Sequence, residues 1–189
     1  MGRFIDEART VAVELNFDHS KYSSVIGQNA RVAGVVAGKP VDASFRLDDQ
    51  TFRYNLHNGA NHLMVNLVKR VPLIGEPNEC WSVAAIGKIG VGAMVPHAEN
   101  TIFGNPNNVG PKDFNNAIGL NRGWWQVNGW TTGVEGGFRM MISKSLYLEL
   151  TDKVAFAQLY DVPVFQGTAR HHLWMNEVIL SVGISFGGR

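Results

Sequence analysis

Six histidines and one nearby carboxylate are the side chains of this sequence best suited to chemistry. His19, His57 and His97 each stand at the end of a segment of alternating apolar and polar residues, and Glu99 follows two residues after His97. Imidazoles and a carboxylate that converge from several strands suit a transition-metal site or acid–base catalysis near neutral pH. No HxH or HxxxH spacing is present. Such a site therefore requires the fold to bring distant segments together, and exposed loop histidines without a shared site are the alternative.

The C-terminal segment carries the clearest pattern of secondary structure. From His172 to Phe186 one parity is almost entirely apolar, whereas the other carries small or polar residues such as Glu177 and Ser181. A period of two that ends in an aromatic residue near the C-terminus is typical of the closing strand of a transmembrane β-barrel. A strand of a soluble sandwich or barrel gives a similar pattern.

The same alternation recurs along the chain and predicts eight strands and no helix. We expect one all-β domain, residues 1–189, folded as an eight-stranded antiparallel up-and-down transmembrane β-barrel. The predicted strands are Thr10–His19, Ala30–Ala37, Ser44–His57, His62–Val71, Trp81–Val95, Trp125–Ile142, Leu146–Leu159 and His172–Phe186.

The lengths of the predicted connections fit a bacterial outer-membrane barrel. With both termini on the periplasmic side, the short turn Ser143–Ser145 lies inside, and the long segments 96–123 and 161–170 lie outside. This topology places all six histidines at the external mouth. It also makes the two long loops candidate surfaces for a protein partner.

Composition narrows the function classes. The net charge of +1 with only 17% charged residues excludes the basic footprint of a nucleic-acid-binding protein. A lone cysteine, Cys80, excludes an intrachain disulfide. No apolar run approaches the ~20 residues of a membrane-spanning helix. The first ten residues carry charges where a signal peptide has its apolar core, so the sequence predicts either a mature form that begins with Met or a protein that is not exported.

The predicted interior carries charges of both signs. Buried charges persist only with partners, so we expect a paired polar plug; a substrate channel or an internal catalytic pair is the alternative. These inward residues are Glu14, Arg53, Lys88, Glu135, Arg139, Glu149 and Glu177.

Three segments of the chain resemble a family of α-proteobacterial outer-membrane barrels described as lipid A oxidase-like. The segments are VELNFDHSKYS, YNLHNGANHLMVNLVKRVP and GKIGVGAMVPHAEN. The residues that fit the family pattern are His19, Lys21, His57, Gly59, Asn61, Asn66, Arg70, Gly90, Gly92, Pro96, His97 and Glu99. The later stretch GVEGGFRMMISKSLYLELTDKVAFA is also similar to it.

The resemblance implies an enzyme that oxidises the proximal glucosamine of lipid A with O2 at the outer leaflet. Such chemistry requires a metal or an organic cofactor. The implied catalytic residues are His19, Lys21, His57, His97 and Glu99. Of these, the histidines and Glu99 would hold iron or copper, and Lys21 would bind a lipid phosphate.

Two other functions remain open from the residues alone. One is a non-enzymatic structural or interaction barrel with a plugged polar lumen. The other is a soluble ligand-binding barrel of the lipocalin type, which the continuous apolar outer faces disfavour because a soluble monomer does not tolerate them.

Overall fold

A computed structural model describes residues 1–36, 38–76, 79–108, 126–165 and 167–186. For residues 36, 57, 58, 107, 108 and 167 it describes the backbone alone. The described residues contain strands and turns and no helix, which confirms the all-β prediction. The strands are β1 (Gly2–Phe4), β2 (Val11–Ser23), β3 (Asn29–Val36), β4 (Lys39–Arg46), β5 (Phe52–Ile74), β6 (Val83–Pro96), β7 (Glu99–Ile102), β8 (Asn105–Asn108), β9 (Gly129–Met141), β10 (Leu146–Val164) and β11 (Gly167–Ile184).

One antiparallel sheet contains nine of these strands. Its hydrogen-bonded order is β1-β2-β5-β6-β9-β10-β11, and β7 and β8 extend it beside one end of β5. The remaining two strands, β3 and β4, form a separate hairpin between β2 and β5. No described helix is long and apolar enough to cross a membrane.

The middle of the sequence folds differently from the prediction. The segments predicted as the third and fourth strands are mostly one continuous strand, β5, and residues 44–46 belong to β4 instead. The predicted second strand exists as β3 but pairs only with β4, outside the main sheet. The prediction of two strands was wrong because residues 58–61 resemble a turn in sequence, whereas the chain continues through them and leaves only residues 57–59 as a bulge in the ladder between β2 and β5.

The predicted outer loop 161–170 is also not a loop. β10 and β11 stay paired up to Val164 and Gly167, with one irregularity after Leu159. Asp161 lies at that irregularity and has a positive φ of 54°. Asp adopts this conformation more readily than most residues other than glycine. The described part of the other predicted loop, 96–123, is not a loop either, because it contains the paired strands β7 and β8. Its residues 109–123 lie outside the described residues.

The sheet is strongly curled. Lys153 of β10 hydrogen-bonds Asp18 and Asn16 of β2, although β2 and β10 are four steps apart in the sheet order. A flat sheet would hold two such strands about 19 Å apart. The sheet therefore has a concave face on which distant strands meet, and a convex face turned away from it.

The two edges of the curled sheet approach each other through side chains. Tyr22 of β2 stacks on His171 of β11 with ring centroids 5.4 Å apart. Among the described residues no backbone hydrogen bonds join β2 to β11. We call this gap the seam, and closure of the sheet into an eight-stranded barrel stays a prediction.

The convex face is apolar and exposed. Its large side chains have from 40% to 74% of their surface accessible, which is the reverse of a soluble protein, where such residues are buried. They are Val13, Leu15, Phe17, Leu63, Val65, Leu67, Ile89, Val91, Trp130, Val134, Phe138, Leu150, Val154, Trp174, Val178, Leu180 and Val182.

Candidate functional site

The predicted site residues lie around one bulge between β2 and β5. Ser20 pairs with Ala60 and Tyr22 with Leu56, so Lys21 alone stands opposite residues 57–59. Gly59 adopts a φ of +122° there, which residues with a side chain rarely adopt. An added Cβ at Gly59 would also collide with the side chain of Asn61. The family-like segment HNGAN therefore has a structural reason for its glycine.

Asn61 links three strands at this bulge. Its Oδ1 accepts a hydrogen bond from His19 Nδ1 on β2 at 2.8 Å, and its Nδ2 donates to the Val95 carbonyl on β6 at 2.9 Å. Because Asn61 is buried, both of its bonds are shielded from water. With Nδ1 donating, the neutral His19 ring keeps Nε2 as its lone-pair nitrogen. Asn61 thus fixes the orientation of an exposed imidazole.

The remaining predicted residues lie near the bulge but differ in how far their side chains are buried. The backbone N–H of His97 donates to the Gly59 carbonyl at 2.8 Å, and the His97 side chain is buried. Lys21 is exposed. Glu99 opens β7 and is half-buried opposite Asn55.

The described side chains do not assemble the predicted metal site. No three His, Cys, Asp or Glu side chains come together among the described residues. His19 is exposed and bonded to Asn61, whereas His97 is buried. The side chain of His57 lies outside the described residues. The expectation of iron or copper held by His19, His57, His97 and Glu99 therefore stays a prediction, and no reaction step is derived from it.

Basic side chains, among them the cations Lys21 and Arg170, continue the convex face beyond its apolar part. On β2, exposed His19 and Lys21 follow Phe17 along the same face. On β11, exposed His172 and Arg170 follow Trp174 in the same way. We call His19, Lys21, His172 and Arg170 the cationic rim. Since β2 and β11 are the two strands that flank the seam, the rim lies on both sides of it.

The concave face holds a network of ion pairs. Lys88 Nζ lies 3.4 Å from Glu14, 3.0 Å from Glu135 and 2.8 Å from Glu149, and Arg139 lies 2.5 Å from Glu149. These five side chains come from β2, β6, β9 and β10 and are mostly buried. The predicted paired plug is present here, since a buried charge is tolerated when it has partners.

Two predicted interior charges behave differently from this network, and one interior charge escaped the prediction. Arg53 pairs with Asp49 near the surface instead of entering the concave face. Glu177 lies opposite Lys153 in the β10–β11 register. Lys153, which was missed, is the most buried of the described lysines and binds Asp18 across the seam. Lys153 lies four residues after Glu149 on β10, and therefore on the same face of the strand. The alternation of side chains alone could have assigned Lys153 to the concave face.

A second chemical grouping lies on the concave face near the bulge, and the sequence did not point to it. His62 is fully buried, its Nδ1 lies 2.9 Å from Thr131 Oγ1, and its Nε2 lies 3.5 Å from Ser20 Oγ. Ser20 is half-buried and also donates to the Ala60 carbonyl at 3.1 Å. His62 is the register partner of Met94, a member of a buried apolar cluster.

Comparison of the chain with protein-family models, with curated proteins and with solved structures finds no match. The resemblance to lipid A oxidase-like barrels therefore depends on the sequence segments alone. The function has to be argued from the faces of the sheet and from the groupings described above.

Proposed function

We propose that this protein is a bacterial outer-membrane β-barrel that binds lipid A at its cationic rim and modifies it at the outer leaflet. The observation that carries the proposal is the order of side chains along the convex face. Val13, Leu15 and Phe17 are exposed and apolar, and exposed His19 and the exposed cation Lys21 follow them directly. Hydrocarbon favours the first group and anionic headgroups favour the second.

The concave face supports the same proposal. In a membrane-spanning sheet the polar residues must turn away from lipid, and here they form the ion pairs around Lys88. Every backbone group in lipid must also be paired, so an open seam between β2 and β11 is unfavourable. We propose that the seam closes in the membrane. Six long strands of the sheet are described, so the eight strands predicted from the sequence would require two more.

Closure can be tested by amide hydrogen exchange in lipid vesicles. A closed seam protects the β11 amides that face β2 as strongly as those that face β10. Rapid exchange confined to the seam side of β11 would show that the edge stays open.

Binding of lipid A can be tested with paired rim variants. We expect Lys21→Gln combined with Arg170→Gln to weaken binding to lipid A micelles about 30-fold, because each removed cation contributes about 1 kcal/mol near an anionic surface. The control is Lys144→Gln, an exposed lysine in the turn between β9 and β10. Equal losses in both proteins, or none, would overturn the rim assignment.

The reaction that the resemblance implies is oxidation of the proximal glucosamine, and mass spectrometry tests it. Cells that contain the protein should yield lipid A heavier by one oxygen atom. This gain should disappear in His97→Ala. Unchanged lipid A in all strains would contradict the oxidase proposal. It would not affect the binding proposal, which the micelle experiment tests separately.

A non-enzymatic barrel is the second candidate, and the Lys88 network favours it. Five charges pair with one another on the concave face, so none of them needs a substrate as a partner. The role of this barrel would be structural, or it would bind a protein through residues 96–123. Bound lipid A without any chemical change would support it.

A further inference from the structure

The grouping of Ser20, His62 and Thr131 has the hydrogen-bond pattern of an activated serine. Thr131 Oγ1 donates its single proton to the Phe156 carbonyl at 3.1 Å. At its other contact, 2.9 Å from His62 Nδ1, the same oxygen must therefore accept a proton from the ring. Neutral His62 then carries its proton on Nδ1, and Nε2 presents a lone pair.

That lone pair faces a hydroxyl. Nε2 of His62 lies 3.5 Å from Ser20 Oγ, and catalytic hydrogen bonds are often this long before a substrate binds. Ser20 gives its proton to the Ala60 carbonyl at 3.1 Å. A rotation of the hydroxyl about its Cβ–Oγ bond redirects that proton to Nε2. A serine, a histidine base and a third group that fixes the tautomer are the parts of a nucleophilic site.

The position of Ser20 allows access by a lipid. Ser20 is half-buried and lies near the end of β2 that carries the rim. Its neighbour Lys21 is exposed and belongs to the cationic rim. An ester bond close to a lipid headgroup can therefore approach Ser20 from the rim, which a closed seam leaves accessible, while the headgroup stays at the rim.

We propose that Ser20 and His62 form a catalytic pair that cleaves acyl esters of membrane lipids. The Ser20 oxygen attacks the ester carbonyl carbon and its proton passes to His62 Nε2. The bond to the lipid alcohol breaks, and the alcohol leaves with that proton. Water then attacks the acyl-serine, His62 Nε2 takes a proton from it and returns one to Ser20, and the fatty acid is released. The inference depends on the proposed membrane barrel for its substrate, but the chemistry of the pair does not.

A fluorophosphonate probe tests the pair in detergent, without lipid A. The probe forms a bond between phosphorus and a nucleophilic serine oxygen and releases fluoride. We expect labelling of the full-length protein at Ser20, no labelling in Ser20→Ala, and labelling about 100-fold slower in His62→Gln. The control Ser181→Ala removes another serine of the sheet and should label normally. A protein that is not labelled, or is labelled elsewhere, would overturn the proposal.

Variants of Thr131 test whether this residue positions the proton of His62 or has only a structural role. Thr131→Val removes the acceptor of the Nδ1 proton, and we expect labelling about 10-fold slower. Thr131→Ser keeps the hydroxyl and should restore the rate. Equal rates in the two variants would contradict the tautomer argument. A difference in electrophoretic migration between unheated and heated protein shows which variants fold, and if His62→Gln does not, the two Thr131 variants decide.

The two proposals fail in different ways. Lipid A that is neither bound nor oxidised, with Ser20 still labelled, would remove the lipid A proposal alone. Normal lipid A binding without labelling would remove the esterase proposal alone.

Discussion

The two ends of the concave face use buried polar groups in opposite ways. Around Lys88 every named charge has an opposite charge within 3.4 Å, and the group is complete without any ligand. Around His62 a neutral histidine holds one fixed proton and presents its second nitrogen to a hydroxyl. Mutual neutralisation gives cohesion between strands, whereas an oriented lone pair gives reactivity. We therefore assign a stabilising role to the region around Lys88 and a chemical role to the region around His62.

The strongest test of this comparison removes the centre of the charged network. Lys88→Met leaves the buried carboxylates of Glu14, Glu135 and Glu149 without their common cation. We expect the free energy of unfolding to fall by about 3–5 kcal/mol, because an unpaired buried charge is costly. Urea titration in detergent measures it. Lys144→Met in an exposed turn should change little, and a similar loss in both variants would contradict the account.

A charge on the convex face tests the membrane assignment that both regions require. Val134→Arg places a cation in the exposed apolar face of β9. We expect insertion into vesicles to become about 2–4 kcal/mol less favourable. Val35→Arg changes an even more exposed valine on the separate β3–β4 hairpin and should insert normally. Two variants that insert alike would place the convex face outside the lipid.

The bulge that separates the rim from the concave chemistry can be tested through its glycine. Gly59→Ala forces a side chain onto a φ of +122° and against Asn61. We expect a loss of stability of about 1–3 kcal/mol and weaker binding of lipid A, since Asn61 orients His19. Gly87→Ala meets nothing within 4 Å and should stay within about 0.5 kcal/mol of the parent protein. A harmless Gly59→Ala would show that the bulge is not constrained.

The smallest expected effect concerns pH and lies outside both regions. The backbone N–H of Val11, with the side chain and backbone N–H of Thr10, lowers the pKa of Asp6 from 3.8 to about 2. Because the folded pKa is the lower one, the carboxylate stabilises the protein fully above its ordinary pKa. This contribution is lost as the pH falls through about 2. Acid titrations of the parent and of Asp6→Ala should diverge at neutral pH and converge in acid, and parallel curves would contradict the assignment.

Alternation along the chain was sufficient to predict five of the six long strands of the main sheet. β2, β6, β9, β10 and β11 all begin and end within a few residues of the predicted segments or extend beyond them. The continuity of β5 was not predictable, because a sequence with glycine between asparagines also suits a turn. Only the pairing with β2 and β6 shows that the strand passes through it.

The candidate sites were predictable in part. The rim cations follow apolar alternation on their own strands, so a local pattern contains them. The pairing of Lys153 with Asp18 depends on the curl of the sheet, and so does the meeting of His62 with Thr131 from a strand 69 residues later. Neither contact has a local signal in the sequence.

The central claim is that the convex face contacts lipid hydrocarbon, and tryptophan fluorescence tests it most directly. Trp130 and Trp174 are exposed on that face. In vesicles of lipids brominated along their acyl chains, we expect strong quenching that weakens when both are replaced by phenylalanine. Aqueous acrylamide should quench them little. Efficient quenching by acrylamide, with none by the brominated chains, would contradict the account.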